Sequence, residues 1–225
     1  EKNWLSFLID SEIEKHPQRK EWKLKKIEEI CTKITDGEHL KPKIMSEGIP
    51  FVSAKDLKEN GVDFSHVLYV DKSDAEVFRK KCNPETNDIL IGSRGSIGRI
   101  CIVDTDQPFC LLGSVILLKL LPSIQSEFIV YFLKSRQAQN QLLNASGHSV
   151  VKALYLRDIK KLQIPMPPLS IQKHLVQNIK NAEEKFKSQK TQFENIKENY
   201  ENSITYVNHI QSSILDAAFS GKLVK

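Results

Sequence analysis

Residues 170–219 constrain this chain more than any other stretch, because fifty consecutive positions contain neither Gly nor Pro. Two interleaved seven-residue series run through them. One is Ile179, Phe186, Phe193, Tyr200, Val207 and Ile214; the other is Leu175, Ala182, Gln189, Ile196, Ser203, Ile210 and Ala217. All but Gln189 and Ser203 are apolar or Tyr, as a coiled-coil seam requires. At 1.5 Å per residue such a helix runs roughly 75 Å. The preceding residues, taken as one compact domain of about 150, have an expected radius of gyration near ~15 Å and a diameter of roughly 40 Å. The distal stripe must then be buried on something beyond its own domain, since an isolated helix gains little from propensity alone. The expectation is a second helix, from another copy or another subunit, met by Leu175, Ile179, Phe186, Phe193, Ile196, Tyr200, Val207, Ile210 and Ile214. Gln189 and Ser203 would fix its register. A bent helical hairpin folded back on the domain is the competing arrangement.

A length of 225 residues with 40% hydrophobic content supports one sizeable core plus an appendage, or two small domains. The longest apolar run, residues 109–121, is interrupted by Gly113, Ser114 and Lys119 and is too short to span a bilayer. No charged-apolar-small pattern opens the sequence, so the expectation is a cytoplasmic protein with no membrane partner. Cys31, Cys82, Cys101 and Cys110 are widely spaced and read as reduced, mostly buried thiols. With no Cys-x-x-Cys pair and scattered histidines, no metal site is expected. The net charge of +5 divides into +3 through Leu169 (25 basic against 22 acidic) and +2 after it (8 against 6). Charge alone therefore does not mark a nucleic-acid binder, and any basic surface has to come from the fold.

Apolar spacing predicts a helix over residues 3–16, ended by Pro17. A second helix is predicted from Trp22 through Leu24, Ile27, Ile30 and Ile34, stopping before an Asp36-Gly37 turn. Ile49-Pro50-Phe51-Val52 reads as a strand, Asn60-Gly61 as a turn, and residues 64–70 as a second apolar run. Ser73 with Glu76 three residues on announces a short helix by its capping-box spacing. Two strands, residues 88–91 and 99–103, bracket the Gly-rich turn 92–98. Residues 109–120 form a further strand region, 126–143 a helix, and 162–164 a last strand before Pro165, Pro167 and Pro168. Ser170 is the expected N-cap of the long helix and Gly221 its stop. The fold class is α+β, with an N-terminal helical segment over 1–20, a mixed α/β domain over 21–168 and one long helix over 169–225.

The Gly-rich turn lacks Gly-Lys-Ser/Thr and leads into a strand rather than a helix, so it reads as a tight β-turn and not a phosphate loop. Asn83-Pro84-Glu85 is not the Asn-Pro-Pro-Tyr type of sequence with which amino-methyltransferases hold an extruded base. No nucleophile elbow or zinc-protease helix is present. Asp36, His39 and Asp56 could be assembled into a catalytic group, but turn and surface roles explain them equally well. The chain reads as non-catalytic.

Several segments then occur in a telling order. They are Trp22 with Leu24, Asp36-Gly37-Glu38-His39, residues 48–52, the turn 92–98, residues 162–169 with Gln172, and the tail Ala217-Ala218-Phe219-Ser220-Gly221-Lys222-Leu223. Together they cover about nine-tenths of the chain, and it resembles the specificity subunit of type I restriction-modification systems. The resemblance implies a target recognition domain that reads a half-site in double-stranded DNA. It implies partnership with a methyltransferase subunit, which carries S-adenosylmethionine, and with a motor-nuclease restriction subunit that joins for cleavage. The specificity subunit itself needs no cofactor. Two departures stand out. The family carries an acidic residue just before Gln172, where this sequence has Ile171. Its usual subunit also has two recognition domains and two helices, whereas this sequence has one of each. Two copies pairing their helices antiparallel would restore that architecture as a homodimer on a split palindrome.

Within the resemblance, loop residues that suit phosphates and base edges are the candidate DNA readers. They are His39, Lys41 and Lys43 after the Asp-Gly pair, Ser53 and Lys55 after the first predicted strand, Arg94 and Ser96 in the Gly-rich turn, and His148, Ser149 and Lys152 in the later loop. Each also suits an ordinary solvated loop. Two other functions compete: a protein-interaction module acting through the long helix, and a nucleotide enzyme resting only on the Gly-rich turn. A bidentate base contact by Arg94 predicts that Arg94→Ala lowers cognate affinity by about 1–3 kcal/mol. A phosphate contact predicts a similar loss on every sequence and a shallower salt dependence in the same titration.

Overall fold

The apolar run at 109–121 supplies the strand around which the domain is built. Val115, Ile116, Leu117 and Leu118 are each at most 1% exposed, so both faces of this strand are covered and its sequence does not alternate. The structure, a computed structural model, describes residues 2–40, 42–94, 99–146 and 154–220. Helix α1 (Lys2–Glu14) is followed by β1 (Lys23–Lys26), β2 (Cys31–Asp36), β3 (Ile49–Val52), β4 (Leu57–Lys58), β5 (Gly61–Val62), β6 (Leu68–Val70) and helix α2 (Lys72–Lys81). Then come β7 (Ile89–Gly92), β8 (Ile100–Ile102), β9 (Cys110–Leu111), β10 (Val115–Leu120), helices α3 (Ser126–Lys134), α4 (Arg136–Ser146) and α5 (Leu156–Lys161), β11 (Gln163–Met166), and α6 (Leu169–Phe219).

The main sheet has the order β2-β10-β7-β8, antiparallel throughout. Its alternate residues divide between two cores. Ile89, Ile91, Ile100, Ile116 and Leu118 pack in one with α1, α3 and the first turns of α6. Leu90, Cys101, Val115 and Leu117 pack in the other with Val52, Leu57, Phe109 and Leu111. A third, small core joins Phe51, Val70 and Cys110 of the sheet β6-β3-β9 to Ala75 and Phe78 of α2. The architecture is α+β with one long C-terminal helix.

Several local expectations are overturned by tertiary partners. The helix expected from Trp22 is instead β1, a 3-10 turn at Ile27–Glu29, and β2. β1 pairs with β11 and β2 with β10, and these ladders outweigh a helical spacing in which Leu24 would have been buried but is 55% exposed. The single helix expected over 126–143 breaks at Ser135. This residue is wholly buried, and its hydroxyl accepts the Ala138 N–H at 3.1 Å. Asp10 of α1 accepts the Arg136 and Gln137 N–H groups, so α4 begins anew on two caps. The cap of α2 is Asp71, which accepts the Asp74 N–H at 2.8 Å; Ser73 donates to Asp71 instead of capping. The 109–120 strand region is two strands, β9 and β10, and the 64–70 run contributes only β6.

Helix α6 begins at Leu169, one residue before the expected cap Ser170. Gln172, 1% exposed, pins this first turn: its Oε1 accepts the Gln125 N–H at 3.0 Å and its Nε2 donates to the Pro167 carbonyl at 2.9 Å. Ile171, standing where the resembled family has an acid, is half-buried against the main core. The expected stop Gly221 lies outside the described residues. The four cysteines are free thiols. Burial pushes Cys31, Cys82 and Cys101 up to about 12 and Cys110 up to about 11, so none is poised to react.

The chain divides into two compact units, Glu1–Ile179 and Lys180–Lys225. In the first, Leu175 and Ile179 are each 1% exposed in the main core. These two were expected to face a partner helix and instead anchor α6 to its own domain, because the apolar stripe continues without interruption from core to seam. In the second unit Phe186 is half-buried, while Phe193, Ile196, Tyr200 and Val207 are 59–67% exposed and Ile210 and Ile214 are also open. Ser203 satisfies its own hydroxyl on the Asn199 carbonyl at 2.8 Å, so it interrupts the seam without demanding a partner.

Lys119 of β10 reaches Asp88 at 2.6 Å and Glu85 at 2.8 Å, and its side chain is only 17% exposed. Burial raises the Asp88 carboxyl, and the Lys119 contacts only partly offset it. Lys119→Ala leaves that carboxylate without its cation, and a chemical denaturation series at neutral pH should show a loss of about 3 kcal/mol. The loss should shrink as pH falls, because protonating Asp88 removes the unpaired charge.

Candidate nucleic-acid interface

Three chain segments meet at the end of the main sheet where β10 begins. β2 ends at Asp36, opposite Ile116, and β7 ends at Gly92, opposite Val115. The third segment is the approach to α5: the Leu154 N–H donates to the Ser93 carbonyl at 2.9 Å, and the Ser93 N–H to Ser114 at 2.8 Å. They surround a cleft of about 280 Å³ with Asp36, His39, Arg94, Tyr155 and Arg157 on its walls and Ile116 and Leu154 among its apolar lining.

The Asp36-Gly37-Glu38-His39 segment is held rigidly across the corner between β9 and β10. Gly37 donates to Val115, Glu38 to Leu111, and Gly113 back to Glu38, at 3.0, 2.7 and 2.7 Å. A Cβ at Gly37 would collide with the Leu111 carbonyl, so close backbone approach, not a turn, requires glycine there. A Cβ at Gly113 would strike the His39 ring, so glycine lets that ring approach the backbone. Glu38 steadies the next turn by accepting the His39 and Leu40 N–H groups.

Asp36 is the hub of the polar contacts. Its Oδ2 lies 2.6 Å from His39 Nε2, and its Oδ1 accepts from Lys81 Nζ at 3.2 Å; Lys81 also reaches the Gly37 carbonyl at 3.1 Å. Partial burial works to raise the Asp36 carboxyl, but the hydrogen bonds from His39 and Lys81 and the Lys81 charge prevail and hold it below its usual value. Lys81 closes α2, whose last turn also carries Arg79 and Lys80 as suits a helix C-terminus, and the fold commits it to this network.

The remaining candidates are distributed unevenly. His39 and Arg94 come together in the cleft. Lys43 is exposed on the segment leading to β3, where its charge faces Asp71. The Ser53 hydroxyl donates to Asp56 Oδ2 at 2.7 Å, capping the 3-10 turn Ala54–Asp56, so its side chain serves the fold. Lys55 is exposed, and its carbonyl accepts from the Arg99 guanidinium. Lys41, Ser96, His148, Ser149 and Lys152 lie outside the described residues. Sequence reasoning did not single out Lys81, which bonds Asp36, or Tyr155 and Arg157, which line the cleft. Tyr155 is the N-cap position of α5 and Arg157 lies in its first turn, and no sequence motif singled out either.

Among the described residues no group of three or more His, Cys, Asp or Glu is arranged to hold a metal ion, and no helix is long and apolar enough to cross a membrane. The cleft can offer guanidinium donors to an acceptor-rich surface, with His39 Nε2 taken up by Asp36 and Asp36 offset by Lys81. Because the folded Asp36 carboxyl is depressed, its stabilising contribution is complete above the ordinary value of 3.8 and is lost as pH falls through the lower folded value. Asp36→Asn should therefore be less stable than the parent at neutral pH, with the gap closing only in acid below that value when unfolding is followed by circular dichroism.

Residues 19–198 match the family described as the type I restriction modification DNA specificity domain. The chain is 28% identical over 182 residues to the type I restriction enzyme EcoBI specificity subunit of Escherichia coli, covering 80% of this chain and 36% of that protein. It is 27% identical over 214 residues to the EcoKI specificity subunit of Escherichia coli strain K12, covering 92% and 44%. The chain thus spans less than half the length of these curated relatives. The crystal structure of an HsdS subunit from Thermoanaerobacter tengcongensis superposes with a TM-score of 0.57 at 16% identity, over 83% of this chain and 44% of that one, and shares the fold. The family match covers most of the sequence, from β1 into the long helix, and the chain belongs to the type I restriction-modification DNA specificity subunit family.

Proposed function

We propose that this chain supplies sequence specificity to a type I restriction-modification complex, its first unit reading one half-site of a bipartite duplex target. The observation that carries the reading is the convergence of His39, Arg94, Tyr155 and Arg157, from three separate segments, on one cleft. These side chains match the acceptor-rich edges and phosphates of a DNA groove. In this reading the chain performs no covalent chemistry, S-adenosylmethionine is held by the methyltransferase subunit, and a motor-nuclease subunit joins for cleavage. The work is done in the cytoplasm, where DNA and these partners meet.

The open stripe from Phe193 to Ile214 favours an antiparallel pairing of α6 with a second long helix, proposed here as that of another copy. Twofold pairing makes the target a palindrome split by a spacer whose length the helices set. The same stripe is what a protein-interaction module without DNA specificity would display, so the two readings are separated by DNA.

Selection from a random duplex pool, with the chain assembled on its methyltransferase, should enrich a two-part motif; equal retention of all duplexes favours the interaction module. Light scattering over a concentration series should give twice the chain mass. A monomer at every concentration would end the homodimer and the palindrome while leaving half-site reading intact.

A further inference from the structure

Arg157 stands apart from the other cations of the cleft because two neighbours fix its guanidinium. Its Cζ lies over the Tyr155 ring, 5.4 Å from the centroid, and Nε donates to Asp158 Oδ1 at 3.2 Å. Asp158 is a firm support: its side chain is 8% exposed, the first turn of α5 holds it through its N–H to the Tyr155 carbonyl at 3.0 Å, and its Oδ2 is buried without a hydrogen-bond partner. The Arg157 side chain is 73% exposed, so this ion pair adds little stability in water. Its effect is geometric. An arginine carries five N–H donors in a planar fork, and engaging Nε leaves the outer edge formed by Nη1 and Nη2 available.

That edge has the spacing of one particular base. Guanine presents O6 and N7 side by side in the major groove, and a bidentate arginine is the commonest specific contact to it. A flexible surface arginine must give up rotamer freedom to make this contact. One already stacked and buttressed loses less, and its orientation excludes bases that offer a donor at the same place.

We infer that Arg157, held over Tyr155 and buttressed by Asp158 in the wall of the cleft, is a specificity-determining residue that reads one guanine of the half-site. The inference rests on the half-site reading proposed above. Within that reading, Tyr155 and Asp158 are positioning residues, and the chemical group recognised is the O6/N7 edge of guanine.

The test uses the chain assembled on its methyltransferase, with the duplex enriched by selection and a scrambled duplex as control. Arg157→Lys keeps the charge and, at an exposed position, keeps the fold; it removes the fork. It should lower affinity for the selected duplex roughly 10- to 100-fold, leave the scrambled duplex and the salt dependence unchanged, and erase the preference for guanine at one position when selection is repeated. Replacing that guanine with 7-deazaguanine, which lacks the N7 acceptor, should weaken the parent and not the variant. Tyr155→Leu and Asp158→Asn should soften the same single preference. An unchanged consensus and affinity in Arg157→Lys overturns the inference, as does an equal loss on both duplexes in Arg157→Ala with a shallower salt slope, which marks a phosphate contact. Failure of the parent complex to enrich any sequence overturns the half-site reading itself, and the two failures are therefore told apart.

Discussion

The double-sided burial of β10 is the constraint on which the rest of this molecule depends. A strand covered on one face could alternate apolar with polar residues, but Val115 to Leu118 are buried throughout, and each side needs its own layer. One layer recruits α1, α3, β11 and the base of α6; the other recruits β3, β9 and the β4-β5 hairpin. The one charge in the strand, Lys119 next to its last residue, is tolerated because Asp88 and Glu85 meet it.

The cleft follows from where that strand begins. A sheet end is the place where β2, β7 and the chain leading to α5 all have to leave the core, so their polar residues are brought to one location without any of them being adjacent in sequence. Backbone bonds across the β9-β10 corner then hold the Asp-Gly-Glu-His segment rigid, and Asp36 ties His39 and Lys81 to it. A site assembled this way can vary its side chains while the supporting ladder stays constant.

Helix α6 belongs to two environments. Its first turns, pinned by Gln172 and buried at Leu175, Val176 and Ile179, are part of the domain core. From Phe193 onward the same stripe is open to solvent. One continuous apolar pattern therefore serves intramolecular packing at one end and leaves an unpaired surface at the other.

The sequence by itself determined the elements that local physics controls. The long helix needed only a heptad stripe free of Gly and Pro, β3 and the β7-β8 pair needed only apolar runs bounded by turns, and an ordered set of motifs was enough to point to the family. Tertiary structure alone decided the rest. Leu24, Ile27, Ile30 and Ile34 carry helical spacing, yet ladders to β10 and β11 make them strands and a 3-10 turn. Ser135 looks like an ordinary helix residue until burial and Asp10 turn it into a boundary. His39 and Arg94 were legible as polar loop residues, but that they share a cleft with Tyr155 and Arg157 was not, nor was the claim of Asp56 on the Ser53 hydroxyl. Side-chain chemistry is written in the sequence, but which side chains share a cleft depends on contacts between segments tens of residues apart, and those exist only once β10 is covered on both faces.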